Sequence, residues 1–175
     1  MAVPEQQFRT CSVHYLRDTY VPRIRRASEI LPADRLWWRP HEGVPSVGNL
    51  LLHLSGNVRQ WILSGLGQQP DVRQRIREFM TQEEGGVEPL LADLTGVVDE
   101  AADIVAGLSK AEWEQSHVIQ GFAVTPLEAV YHVVEHFSWH TGQIVWIAKS
   151  CAGAQHGLAF YDEAEINRRR NEPEG

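Results

Sequence analysis

Residues 125–150 read TPLEAVYHVVEHFSWHTGQIVWIAKS. The opening Thr125-Pro126-Leu127-Glu128 has the chemistry of a helix start. A threonine oxygen accepts from the free backbone N–H groups of the first turn, a proline there has no N–H to leave unpaired, and a glutamate three residues on returns the bond. The helix is expected to run to about Ser150, with Gly153 just beyond to end it. Inside it His132, His136 and His140 follow one another at steps of four.

Three further segments carry helical periodicity. From Glu5 to Leu31, Phe8, Cys11, Val13, Tyr15, Leu16, Tyr20, Val21 and Ile24 recur at roughly i, i+3, i+4 and i+7, and Pro22 is expected to kink or interrupt the helix. A connector, Pro32 to Pro45, contains Trp37-Trp38-Arg39-Pro40, which should pack along the helices. A second helix begins at Ser46, whose oxygen can cap it, and continues through Leu50, Leu51, His53, Leu54, Val58, Trp61 and Ile62 until Gly65 and Gly67 stop it. The loop that follows contains Ile76, Phe79 and Met80, suggesting a short helical turn. A third helix spans about Val87 to Leu108, and Ser109 with Glu112 matches a capping box. Residues 113–125 fit either a short hairpin or an extended crossing segment. Four long amphipathic segments and no series of strands give an all-α fold, a four-helix bundle. Residues 1–160 are read as a single domain and 161–175 as a charged C-terminal tail, frayed from Glu163 onward.

Composition bounds the function. Of 175 residues, 43% are hydrophobic, enough to bury a core. The net charge of -7 opposes a general grip on nucleic acid. The basic clusters Arg23, Arg25, Arg26 and Arg168, Arg169, Arg170 are expected to be solvated surface. Cys11 and Cys151 fit no metal spacing; two lone cysteines suit a reducing compartment, and both are expected to be buried and inert. No stretch reads as a signal peptide or a membrane span, so a cytoplasmic protein with no membrane partner is expected.

The chemistry lies in the histidines. A step of four residues turns a helix by about 400°, so neighbours in the series differ by only ~40°. His136 and His140 therefore leave one face and can share an ion, as the pair in HExxH does, but His136-Phe137-Ser138-Trp139-His140 lacks that motif's glutamate base. Imidazole suits zinc, nickel, copper and iron, and a catalytic zinc takes three protein donors and an open position. In a bundle the third donor comes from a facing helix, and His53 is the one histidine in the middle of another strong helix. Each of these also fits a packed, hydrogen-bonded core histidine. His132, about 80° from His140, is a fourth donor or a supporting residue.

Two blocks carry a family resemblance: Ser46-Val47-Gly48-Asn49-Leu50-Leu51-Leu52-His53-Leu54 and His136-Phe137-Ser138-Trp139-His140-Thr141-Gly142-Gln143-Ile144. In sequence, spacing and order they resemble the second-helix and last-helix motifs of the DinB-like (YfiT-like) superfamily of four-helix bundles, over about residues 5–150. The resemblance implies a metal triad at His53, His136 and His140. It further implies metal-dependent thiol transfer or isomerisation with a low-molecular-weight thiol, or hydrolysis, and a homodimer packed through bundle helices. The expected cofactor is a divalent ion, zinc or nickel ahead of iron or manganese. The other reading is a non-catalytic metal-binding or stress-response ligand-binding module.

An ion held by three neutral imidazoles lowers the pKa of a water or thiol and polarises a substrate oxygen. No catalytic residue beyond the donors is assigned. Asn57, Gln143 and His132 are the candidates to support the ligands or a substrate, and Asn57 and Gln143 equally fit ordinary interhelix hydrogen bonds. Gly142 is expected to let a neighbouring helix approach, and Trp61, Trp139 and Trp146 to be core or dimer-interface residues. Arg73, Arg75, Arg77 and Glu78 are expected to form a solvated charged face, with an anion site as the alternative. Glu135 and Asp162 are not expected to act as bases. No serine–histidine–acid order, phosphate loop or dinucleotide fingerprint is present.

Overall fold

A computed structural model of the chain describes residues 4–82 and 86–171. The first long rod comprises α1 (Pro4–His14), a π-helical stretch (Tyr15–Tyr20) and α2 (Val21–Glu29). Pro22 neither breaks the rod nor sharply ends it. The wider π turn just before it, with Val21 N–H donating to Leu16 O, absorbs the proline's missing donor and its clash with the preceding turn.

After a short 3-10 turn (Ala33–Arg35) comes α3 (Val47–Val58), extended by a π-helical stretch, Arg59–Ser64. Ser46 caps α3 as its chemistry suggests, and its partner is Asn49: Ser46 N–H donates to Asn49 Oδ1 (3.1 Å) and Asn49 N–H to Ser46 Oγ (3.2 Å). Trp37 lies flat on the first turn of α3, where a Cβ on Gly48 would sit 2.5 Å from the indole. The connector then forms α4 (Arg75–Met80), followed by α5 (Glu88–Gly107) and a single turn, α6 (Lys110–Trp113). Residues 113–125 resolve as a hairpin of β1 (His117–Ile119) and β2 (Phe122–Val124), with Ile119 opposite Phe122. Its two turn residues, Gln120 (φ 53°) and Gly121 (φ 82°), both adopt the left-handed conformation of the tight turns that suit hairpin twist.

The last long helix, α7 (Pro126–Ala152), starts on the capping box between Thr125 and Glu128 and stops at Gly153. Helix α3 packs on α5 and α7, α2 packs on α7, and α1 on α5. Ile24, Leu50, Leu54, Val58, Leu94, Val98, Val133, Phe137 and Ile144 are wholly buried between them. The expected four-helix bundle is the fold. None of its described helices is long and apolar enough to cross a membrane.

Four expectations change. Glu163–Asn171 is a helix, α8, rather than a frayed end, because Asp162 Oδ1 accepts from the N–H groups of Ala164 (3.0 Å) and Glu165 (3.2 Å); residues 172–175 lie outside the described ones. Cys11 is exposed on the outer side of α1, and Cys151 is half-buried, its thiol pushed up by burial. Gly142 receives no neighbouring helix: a Cβ there would meet nothing within 4 Å. Trp61 is buried, but Trp139 (63% exposed) and Trp146 (65%) are not core residues.

Candidate metal centre

His53 sits near the middle of α3, and His136 and His140 on the facing side of α7. The α3–α7 packing brings one ring nitrogen from each within 4.8 Å of the other two. His53 Nε2 and His136 Nε2 are 3.0 Å apart. Three donors tetrahedrally disposed at the usual zinc–nitrogen distance are roughly 3.4 Å from one another. His53 is buried, whereas His136 and His140 are half-buried and open the group on one side.

The hydrogen-bond network fixes which nitrogens are free. His53 Nδ1 lies 2.7 Å from Glu78 Oε2. Arg73 Nη2 is also near that nitrogen, at 3.2 Å. The carboxylate is the closer partner and can only accept, so the proton resides on Nδ1 and Nε2 carries the lone pair. His136 Nε2–H is then the donor in the 3.0 Å contact with His53. His140 Nδ1–H donates to Gln143 Oε1 at 2.6 Å, which leaves His140 Nε2 free as well.

Two of the rings are held back from taking up a second proton. Burial, followed by the nearby His140, His53, His132 and Arg73, pushes His136 down to about 3. Burial also lowers His140, only partly opposed by the bond to Gln143. His53 Nε2 and His140 Nε2 carry free lone pairs, and His136 offers Nε2 once its proton moves to Nδ1, so this donor set fits a divalent transition ion.

His132 lies outside the group. Its Nε2 faces Asn57 Nδ2 at 3.2 Å and its ring stacks on Trp61, with centroids 3.9 Å apart. Asn57, 3% exposed, leaves its Oδ1 buried without a partner.

The solvated charged face expected for the connector is wrong for two of its four members. Glu78 and Arg73 have side chains only 9% and 4% exposed and pair with each other behind His53. Burial alone would raise the Glu78 carboxyl, but the hydrogen bonds and charges of His53 and Arg73 hold it below the ordinary carboxylate value. Asn49 pins this segment to α3, its Nδ2 donating to Glu78 O and Thr81 O, both at 2.9 Å. Neither Glu78 nor Asn49 is marked as a site residue by histidine spacing. The one sequence trace is Gly56, an α3-interior glycine that opens the space Glu78 enters.

An apolar cavity of about 330 Å³ lies beside Gln143, lined by Val44, Pro45, Leu50, Trp139 and Trp146 among others but by none of the three histidines. Gln143 belongs to both, since it also holds His140.

The family model of the DinB superfamily matches residues 19–144, a span that contains all three histidines and Gln143. The chain belongs to the DinB superfamily. No curated protein matches it.

Proposed function

Taking that membership and the convergent histidines as premises, we propose that the protein is a divalent-metal-dependent enzyme of the thiol S-transferase or hydrolase type, with His53, His136 and His140 as the protein donors. The supporting observation is the open side of the group. A structural ion is closed in by four protein donors, whereas a catalytic one keeps a position for water or substrate. Here His132, the candidate fourth donor, is paired with Asn57 instead. The general affinity order of divalent ions at nitrogen sites favours zinc or nickel over iron or manganese.

The ion supplies Lewis-acid chemistry, acidifying a water or thiol and polarising an acceptor oxygen. The residues of the chain do the rest. Glu78 and Gln143 keep the protons of His53 and His140 on Nδ1, away from the ion. The cavity beside Gln143 offers room for the apolar part of a small substrate. The partners this function calls for are that substrate, a low-molecular-weight thiol in the transferase case, and a second copy of the chain. The exposed Trp139 and Trp146 give the second copy an apolar face to cover.

Metal analysis and X-ray absorption test the proposal. One ion per chain is expected, bound by three imidazoles and an exchangeable ligand. His53→Ala and His140→Ala should abolish stoichiometric binding, and His156→Ala should not. A site closed by four protein donors, or full binding by His53→Ala, would sink it. Screening the loaded protein against thiol-conjugation and hydrolysis substrates then decides the reaction.

A further inference from the structure

His53 is held from behind by a buried assembly that belongs to neither of the two histidine-bearing helices. Glu78 Oε2 accepts from His53 Nδ1–H at 2.7 Å. Arg73 grips the same carboxylate with a fork, Nε to Oε1 at 2.7 Å and Nη2 to Oε2 at 2.9 Å, and donates through Nη1 to Gln60 Oε1 at 3.0 Å. The carboxylate occupies the space above residue 56. A Cβ there would lie 2.1 Å from Glu78 Oε1 and 3.1 Å from Arg73 Nε. A glycine inside a helix costs about 1 kcal/mol relative to alanine, so one in mid-α3 calls for a packing reason, and the carboxylate is that reason.

We infer that Glu78 is the positioning residue of the metal centre, seated by Arg73 and admitted by Gly56, and that it keeps His53 in the one tautomer that can bind an ion. This rests on the reading of the three histidines as donors. The physical ground is the 3.0 Å separation of His53 Nε2 from His136 Nε2. A neutral imidazole without a partner at Nδ1 is free to carry its proton on Nε2. In His53 that proton would occupy the nitrogen that faces the other two histidines, leaving the ring no lone pair there to offer an ion. The carboxylate at Nδ1 makes that tautomer unfavourable, because it would leave a buried anion facing a lone pair. Asn49, by anchoring the backbone of Glu78 and Thr81 to α3, keeps the carboxylate in place.

The test compares zinc affinity, by competition with a chromogenic chelator, in the wild type, Glu78→Gln, Glu78→Leu and Gly56→Ala. Glu78→Leu should weaken zinc binding by about 10–100-fold, and Glu78→Gln by less, since its amide oxygen still accepts from Nδ1–H. Gly56→Ala touches no histidine but displaces the carboxylate, and should weaken binding by about tenfold. Nitrogen-15 NMR of the zinc-free protein should show His53 protonated at Nδ1 in the wild type and shifted toward Nε2–H in Glu78→Leu and Gly56→Ala. A purely structural Glu78 would lower the unfolding midpoint and leave the tautomer alone. If Glu78→Leu does not fold, the tautomer and affinity of Gly56→Ala carry the same comparison. A folded Glu78→Leu or Gly56→Ala that binds zinc within about threefold of wild type, or that keeps the wild-type tautomer, overturns the inference. A wild-type chain that takes up no zinc overturns the donor reading as well, a different result from a wild type that binds and variants that bind equally well.

Discussion

Replacing His136 with asparagine should make the metal-free protein less sensitive to acid. The native state holds the His136 ring at about 3, against 6.5 for a free histidine, chiefly because burial disfavours the charged ring. The sign follows from proton counting. Between pH 6.5 and about 3 the unfolded chain binds a proton at residue 136 that the native chain does not. Stability is therefore undiminished above 6.5 and is lost progressively as pH falls through that window. Each pH unit inside it costs the native state up to about 1.4 kcal/mol. The ring is half-buried and solvent screens it, so about half that slope is expected. Going from pH 7 to 4.5 crosses about two units of the window and should remove about 1.5 kcal/mol through His136. Glu78 does not confuse the comparison. Its carboxyl is held below 4.5, so its contribution is intact above that pH and is lost only in stronger acid. Urea unfolding of metal-free wild type and His136→Asn at both pH values measures the difference. The variant should lose about 1.5 kcal/mol less than wild type over this range, whatever its stability at pH 7. Equal losses in the two proteins would refute the reasoning.

Other outcomes follow from single contacts. Gln143→Leu deprives His140 Nδ1–H of its 2.6 Å acceptor and should weaken zinc binding by about tenfold in a chelator competition. Gly48→Ala drives a methyl into the Trp37 ring and should cost about 1–3 kcal/mol in chemical denaturation, whereas Gly142→Ala, with nothing near it, should be neutral or stabilising by up to about 1 kcal/mol. If a second copy covers the Trp139–Trp146 face, sedimentation equilibrium should give twice the chain mass and Trp146→Glu should restore the monomer. A monomeric wild type would remove the homodimer from the list of partners.

The fold and the three histidines were legible in the sequence for the same reason, which is period. Helix α7 declares its start by the Thr125–Glu128 box and its histidine face by the four-residue step from His136 to His140. His53 was legible only as the histidine on another core-facing helix, and the family motifs supplied the pairing. Period fails at the connector. Ile76, Phe79 and Met80 suggest a short helical turn and Glu78 a solvated charge, yet Ile76 is 81% and Met80 74% exposed, while Glu78 is buried. Tertiary contact inverts the pattern. The helix leaves Ile76 and Met80 in solvent, although burying each would be worth about 1.5–3 kcal/mol. Turned this way, it gives a carboxylate a guanidinium, an imidazole and a glycine-lined slot in one place. A buried carboxylate is tolerated only when all of those partners are present. Such a residue is specified by four positions on two separate segments, Gly56, His53, Arg73 and Glu78, with no spacing rule linking them. What reaches the sequence is the local cost of the arrangement, a glycine in the middle of α3 where alanine would make a better helix. A glycine of that kind, one turn from a candidate ligand, marks where a side chain from elsewhere in the chain must enter.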